Sequence, residues 1–558
     1  MCPTKKGTIS PVAHDPQFVA RSHPVRMVRR PARTVMVLIA AAVLTLGLIE
    51  LRPTHDPAVA QTISGPFALL LGVSTNLGTS RAATVELTAE LRGPGSPDRL
   101  VRWARDSGLS VGWRTGDTWA VLRGSPADIA SAFRLTVDDY RGREGQVFYA
   151  SPQQPAIPAS LSNEVAGLGR ILSYSPYHSK SPSILPPRDV PNHSLSPAAL
   201  RTTYNVTPLN MAGYTGKGVT VAVFAFDGFD QPDLDMYADM FDLPRFTPEV
   251  IGGMPDRRSG EAAMDLQVVH AIAPDARKVL VNARSTVEGD GGTYVKIAAL
   301  MESIDKQFPG AVWTLSIGWG CDRLITAADM APIREAMATA HAHGTTIFDA
   351  SGDLAGLECK RGHDWSAPPG PSDTGLDAVA SLPEVTNVGG TVLSTNEDFQ
   401  WLGEQAWTDV PLTQGSGGGI SSLFDRPPWQ SSVSATTNTV RRLTPDVSAV
   451  ADVSTGATIV VGQRVAVGGG TSQAAPLWAG IAAVMNEYLL VNGGRTLGDL
   501  NPTLYRLAAG ASRPGFHDIT LGTNAVAVAG PGYDMVTGLG SPNVDNLARN
   551  ILDLQRGR

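Results

Sequence analysis

Apolar positions follow four different rhythms along the chain. The first is an unbroken run, Val35 to Ile49, with Arg26, Arg29, Arg30 and Arg33 before it and Glu50 and Arg52 after it. It lacks helical periodicity. It sits at the upper limit of a signal-peptide core and falls short of the roughly 20 residues of a comfortable membrane span. Ala58-Val59-Ala60 offers an A-x-A cleavage site. Residues 1–60 are therefore expected to be a basic segment plus a signal peptide or membrane anchor. The rest would lie outside the cell, secreted or held on the outer face of the membrane.

Residues 61–173 mix the two periodicities. Leu100-Val101-Arg102-Trp103-Ala104-Arg105 is amphipathic, apolar residues alternate through Trp113, Trp119, Val121 and Leu122, and Asp128 to Phe133 is again helical. That mixture predicts a small α+β domain. The stretch 174–197 is Ser/Pro-rich, with Pro176, Pro182, Pro186, Pro187 and Pro191, and reads as an exposed linker open to proteolysis. From 198 to 558 strands and helices alternate. Val219–Phe226 is a continuous apolar run fit for a buried parallel strand, and Glu261–Ile272 reads as a helix before a strand at Val279–Asn282. Helices near Tyr294–Phe308 and Ile333–His343 precede strands at Val312–Ile317 and Thr345–Phe348, and Gln473–Glu487 is a further helix. Repeated βα units predict a doubly wound parallel sheet with its site at the carboxyl ends of the strands.

Composition sharpens this picture at two points. The net charge of -7 argues against a nucleic-acid partner. Of three cysteines, only Cys321 and Cys359 follow the apolar run, and a single pair in an exported domain is a disulfide candidate. Each lies just past the end of a predicted strand, so the two are expected to be joined if those strands are neighbours.

Candidate chemistry lies in three places. Gly468-Gly469-Gly470-Thr471-Ser472 sets a serine where a glycine turn meets a helix start. Alone, such a serine is ordinarily a cap, and to act as a nucleophile it needs a base. Glu261 and Asp265 stand at i and i+4 on a largely apolar helix, where stacked acids should share a proton and raise one pKa. The plain alternative is an acidic first turn that suits the helix dipole. Asp353, after the strand at Thr345–Phe348, could serve an oxyanion only as a neutral acid, and hence only under acidic conditions. His270 is the rival base, with Asp227 behind it, as in a Ser/His/Asp protease. Near the C-terminus Asp518 and Asp534, with carbonyls in glycine-rich turns, form an oxygen set suited to Ca²⁺, although a structural turn serves equally well.

Taken together these residues resemble the sedolisin family of serine-carboxyl peptidases, near its kumamolisin-like members. The resemblance runs from about residue 63 to 546 and includes Glu261-x-x-x-Asp265, Ser316-Ile317-Gly318-Trp319-Gly320, Ser351-Gly352-Asp353 and Gly417-Gly418-Gly419-Ile420-Ser421. It continues through Pro445-Asp446-Val447-Ser448-Ala449, Gly470-Thr471-Ser472, His517-Asp518-Ile519-Thr520 and the Gly530 to Pro542 segment. It implies a subtilisin-like catalytic domain behind an inhibitory pro-segment, and an acid-acting endopeptidase that processes itself. Ser472 would be the nucleophile, Glu261 the base and acid, Asp265 its partner and Asp353 the oxyanion donor. Ser316, Gly318, Trp319, Gly418 and Gly419 would line the cleft. One structural Ca²⁺ would be held by the Asp518 and Asp534 side chains and the carbonyls of Ile519, Gly530 and Gly532. The partners expected are peptide substrates and the chain's own pro-segment, with the chain a monomer. Ala225 stands where some members carry a further acid, so the proton relay is expected to end at Asp265. A catalytically silent surface-binding protein on the same fold is the remaining alternative.

Overall fold

The computed structural model describes residues 60–557, apart from 144, 175, 177, 180–193, 289–291, 361–369, 410–413 and 434–438. The apolar run at 35–49, the greater part of the A-x-A site and the middle of the linker lie outside the described residues. Residues 1–54 form a unit of their own, and everything below belongs to the other, residues 55–558.

The first layer is α+β. It contains β1 (Val85–Leu91), α1 (Asp98–Asp106), β2 (Ser110–Gly112), β3 (Trp119–Gly124), α2 (Pro126–Phe133) and β4 (Val165–Leu168), with the antiparallel sheet order β2-β3-β1-β4. Along β1, Val85, Leu87, Ala89 and Leu91 are buried and the residues between them are not, as a one-sided strand requires. α1 buries only Leu100 and Ala104, one helical turn apart, against a cluster that includes Ile129 and Phe133 of α2.

The second layer is the doubly wound sheet. A short β5 (His178–Ser179) leads into it. Then come β6 (Thr220–Ala225), β7 (Glu249–Ile251), α3 (Glu261–Ile272), β8 (Arg277–Asn282), α4 (Thr293–Gln307), β9 (Val312–Leu315), β10 (Ile317–Gly318), α5 (Ala331–Ala342) and β11 (Thr346–Ala350). β12 (Thr386–Thr395), β13 (Trp401–Ala406), β14 (Val447–Val450), α6 (Thr471–Val491) and α7 (Asn501–Gly510) follow. The strand order is β7-β8-β6-β9-β11-β12-β13, with β14 also paired to β12, and every pairing is parallel except β12 with β13. The order reverses around β6, which puts a crevice at the carboxyl ends of β6, β9 and β11.

α3 and α6 share one face of this sheet, in a core with Met264, Val268, Ile272, Leu477 and Ile481, while α4 and α5 cover the other. Every residue of α3 is buried. α6 is long and apolar enough to cross a membrane, but it is the central core helix, with 83% of its most apolar window buried. The two helices approach closely at Gly480, where a Cβ would stand 2.9 Å from the Ile272 Cβ.

The linker was expected to be exposed from 174 to 197, and the described ends correct that. Tyr174 is buried against Phe148, and Leu195 is buried with its N–H on the Gly456 carbonyl (2.8 Å). The sequence reading had weighed proline content and passed over the aromatic and aliphatic residues at the two ends.

Pro445-Asp446-Val447 serves the sheet itself. Asp446, fully buried, accepts two N–H bonds from Arg442 (2.7 and 2.6 Å), one from the Asn387 backbone (2.8 Å) and one from the Tyr505 hydroxyl on α7 (2.8 Å). Removing one partner of such a pair leaves a buried charge. Arg442→Met is therefore expected to lower the unfolding free energy by about 3–5 kcal/mol in denaturant titration. A loss under about 1 kcal/mol would show that the other donors already balance Asp446.

Candidate active site

Two glycine turns start the helices that carry the site. Gly260, in the left-handed region (φ 100°), begins α3, so that Glu261 is its first residue and Asp265 lies one turn along. A glycine cannot cap a helix with a side chain, and Asp227, just past β6, does so from outside. It accepts the N–H groups of Ser259 (3.0 Å) and Ala262 (3.1 Å), and the Ser259 hydroxyl. Gly470 (φ 87°) begins α6 in the same way, and Asp353 caps it. The Asp353 Oδ1 accepts the Thr471 N–H (2.8 Å) and hydroxyl (2.7 Å). A Cβ at position 470 would come 2.6 Å from the Asp353 Oδ2, so both the backbone angle and the space demand glycine there.

Pro476, inside α6, has no N–H for the carbonyl of Ser472, four residues back. The Ser316 hydroxyl at the end of β9 donates to that carbonyl instead (3.2 Å). Ser316 also stands beside Asp265, where it favours the charged form. One side chain thus ties the helix that carries Ser472 to the paired acids.

Glu261, Asp265 and Ser472 are fully buried. Burial pushes the Glu261 carboxyl well above the usual carboxylate range; Asp265 and Asp227 push it further, and the Ser472 hydroxyl pulls it back. Asp265 is raised by its burial, with Ser316 opposing and Asp227 adding. Neither carboxyl holds a hydrogen bond of full geometry, so both oppose charging and neither is locked. Two such neighbours oppose double ionisation, so their titrations are expected to be coupled. Asp227, two residues past Ala225, is a third acid in this cluster; the sequence reading placed it only behind His270, because helix capping leaves no motif of its own. Glu358 is another omission. It is buried, and its carboxyl lies so close to Gly352 that a Cβ there would collide with it.

His270 does not join them. It lies at the far end of α3, its ring stacked on Phe246 (4.0 Å between centroids) and its Nδ1 2.9 Å from the Lys278 Nζ. Burial and Lys278 push its pKa down to about 3. Asp227 caps the opposite end of the helix, so the Ser/His/Asp arrangement is not assembled.

The residues expected to line the cleft divide. β10, just beyond Ser316, pairs antiparallel with β5, matching His178 with Gly318 and Ser179 with Ile317. Asp377 holds this edge by accepting the N–H groups of Trp319 (2.8 Å) and Gly320 (2.9 Å). The Trp319 ring is not a cleft wall; it lies in the core, edge-on to Phe226. The Ser316 hydroxyl faces α6. Gly418 packs against the Met535 carbonyl and Pro445, and Gly419 opens a strand paired with Arg441–Thr444. Their neighbours Gly415 and Gly417 donate to the carbonyls of Asp353 (3.0 Å) and Gly352 (2.8 Å), bracing the Asp353 turn. Cys321 and Cys359 are joined, with Cα atoms 4.7 Å apart, and β9 and β11, which precede them, are indeed neighbours.

No family model matches the chain. Among curated proteins it is 32% identical to kumamolisin from Bacillus sp. (strain MN-32) over 62% of this chain and 63% of that protein. It is 28% identical to sedolisin from Pseudomonas sp. (strain 101) over 77% of this chain and 74% of that one. Human tripeptidyl-peptidase 1 is 28% identical over 72% and 73% of the two chains. A solved structure of Pseudomonas sedolisin, a serine-carboxyl proteinase complexed with two molecules of pseudo-iodotyrostatin, matches with a TM-score of 0.55 at 26% identity. That match covers 64% of this chain and 98% of the other. By these comparisons the chain is similar to sedolisin-type serine-carboxyl peptidases, and it spans less than two thirds of the length of kumamolisin.

Near the C-terminus the Asp518 and Asp534 carboxylates both bond the backbone of one glycine-rich turn. Gly532 N–H donates to both Asp518 carboxylate oxygens (3.1 and 3.0 Å), and Gly530 N–H donates to Asp534 (3.1 Å). Val536 and Thr537 N–H groups (both 2.8 Å) fix Asp534 from behind, and burial raises its pKa. Two carboxylates facing one turn, one of them costly to charge, make a donor set that fits a hard divalent cation.

The raised acids fix the sign of the pH dependence of stability. An acid whose folded pKa exceeds its unfolded one penalises the fold only when ionised. The penalty is absent below the ordinary carboxylate range and grows as pH rises through the folded value. Glu261 and Asp265 act this way, as does Asp322, which burial pushes up to about 6. Asp265→Asn removes one such charge. Its melting temperature is expected to exceed that of the parent at pH 7, by at least about 1 kcal/mol of stability, and to converge on it near pH 4. A difference that does not change with pH would refute the assignment.

Proposed function

We propose that the chain is an exported, acid-acting serine-carboxyl endopeptidase made as a proenzyme. The observation that carries this reading is the meeting of Ser472 with Glu261 and Asp265 in a buried setting with no histidine beside them among the described residues, next to an Asp353 whose one oxygen is already committed as a cap. Kumamolisin, sedolisin and tripeptidyl-peptidase 1 support the class. The basic and apolar N-terminal segment supports export.

In this reading Glu261 takes the Ser472 proton as Oγ attacks the peptide carbonyl, and Asp265 shares the charge. Asp353 Oδ1 is occupied by Thr471, so its proton belongs on Oδ2, from which it would donate to the oxyanion. Glu261 returns the proton to the leaving amine, and water then cleaves the acyl-enzyme by the same route. The scheme needs neutral Asp353 and a single charge on the Glu261–Asp265 pair. Rising pH disables both, which is why the enzyme should work in acid.

The α+β layer of residues 61–173 is read as the pro-segment. It is tied to the peptidase layer by Arg114 on Glu302 (2.8 and 2.6 Å), the Thr118 N–H on Glu335 (2.8 Å), the Arg170 N–H on Asp329 (3.1 Å) and the Gly292 N–H on Glu86 (2.9 Å). Asp518 and Asp534, with the Ile519, Gly530 and Gly532 carbonyls, would hold Ca²⁺ as a clamp on the C-terminal turns, remote from the chemistry.

Ser472→Ala is expected to lower hydrolysis of denatured protein at acidic pH by about 10⁴-fold or more, with the fold unchanged by circular dichroism. Retained hydrolysis in purified mutant would remove Ser472 from the mechanism. Millimolar Ca²⁺ is expected to raise the melting temperature by a few degrees, an effect that Asp534→Ala abolishes. Equal melting temperatures with calcium and with chelator would dismiss the ion.

A further inference from the structure

We infer that a small monovalent anion, chloride, binds in the cavity between Arg170 and the start of α4, and so clasps the α+β layer to the peptidase layer. The site owes nothing to the chemistry at Ser472 and stands apart from the peptidase reading.

Arg170 lies two residues past β4, in the seam between the layers. Asp329 holds its backbone N–H (3.1 Å), and its guanidinium lies over the Phe67 ring, 4.8 Å from the centroid. The Arg170 Nε and Nη1 atoms are buried, and among the described residues neither has an acceptor. Burial lowers the Arg170 pKa, with Asp329 opposing. A buried charge without acceptors is costly, so the seam favours any acceptor that fits beside it.

The start of α4 offers the complementary half. Gly292 provides no capping side chain, and among the described residues the Thr293 and Tyr294 N–H groups have no partner. An uncapped helix start presents donors and partial positive charge to an anion. Arg170, Thr293 and Tyr294 line one cavity of about 70 Å³. That is roughly the share of two waters in the liquid, a scale that suits chloride with a water rather than an organic ligand.

Two carboxylates share the cavity, and both are already committed. Glu86 accepts from Arg123 (2.6 Å) and from the Gly292 N–H (2.9 Å). Asp329 accepts from the Arg170 N–H and from the Thr326 N–H (2.8 Å) and hydroxyl (3.0 Å). Burial pushes Asp329 up to about 6, so mild acid removes the charge that attracts Arg170 and repels an anion. The Tyr294 hydroxyl, pushed well up by burial, stays neutral throughout. Chloride should therefore bind more tightly at pH 5 than at pH 7.

Thermal unfolding of the full-length chain tests this, in sodium chloride against sodium gluconate at equal ionic strength, which holds screening constant. At pH 5, chloride at about 0.2 M is expected to raise the melting temperature by about 1–2 °C over gluconate, and by less at pH 7. Arg170→Met should remove that difference, while Arg170→Lys, which keeps a charge, should retain part of it. The readout is the difference between salts, so a lower melting temperature of either variant does not obscure it. In crystals soaked in sodium bromide, the anomalous signal should mark an ion beside the Arg170 guanidinium. Equal melting temperatures in the two salts, or water alone in the bromide-soaked cavity, would overturn the proposal. So would a chloride effect that survives Arg170→Met, since the anion would then sit elsewhere.

Discussion

Everything in the peptidase layer answers to one constraint: two carboxyls must be kept out of water on the same face of a buried helix. Such groups strongly resist ionisation, and two of them a turn apart resist it jointly. The fold concentrates this burden where a serine can draw on it. α3 and α6 approach closely enough to need Gly480, the Ser316 hydroxyl spans from one to the other, and β6, β9 and β11 deliver the remaining parts at one end of the sheet. A carboxylate whose pKa is raised by burial is a stronger base toward a neighbouring hydroxyl, and a second acid beside it can share the proton it takes. That links the packing of two helices directly to acid chemistry.

The two helix starts solve one problem with one device. A glycine at the start lets the chain turn sharply and puts the functional side chain in the first turn, but it forfeits a capping side chain. In both cases an aspartate from the end of a neighbouring parallel strand supplies the cap: Asp227 for α3 and Asp353 for α6. At α3 the cap adds a charge that raises its neighbours. At α6 the cap takes up one oxygen of Asp353, the group that the proposed mechanism uses as oxyanion donor. The cap and the proposed oxyanion donor are the same group, so Asp353 cannot move away from Ser472 without unravelling the start of its helix.

Much of this was legible in the sequence because it depends on local pattern. The alternating βα units gave the sheet, the spacing of Glu261 and Asp265 gave their shared face, and positions past adjacent strands suggested the Cys321–Cys359 bond. What could not be read was set by long-range packing. Asp227 was weighed only as a partner for His270, yet Ser259 and Ala262 claim it from the other end of the helix. Ser316 looked like a cleft residue; the absent N–H of Pro476, four residues after Ser472, was the signal that a hydroxyl would be needed. Trp319 was expected to line the cleft from the resemblance, but Phe226 and the sheet take its ring into the core. Proline content likewise hid the anchored ends of the linker.

The contacts between the two layers have opposite responses to acid, and this bears on how the precursor would open. Burial pushes Asp329 up to about 6, so the joined state takes up a proton that a solvated Asp329 would not, and acid strengthens that contact down to the ordinary carboxylate range. Glu302 is held below its usual value chiefly by Arg114, so that contact is lost only when pH falls through the lowered pKa. Between about pH 6 and the carboxylate range the first effect acts alone, and mild acid does not loosen the interface. On the proposed reading, mild acid alone would therefore not separate the two layers.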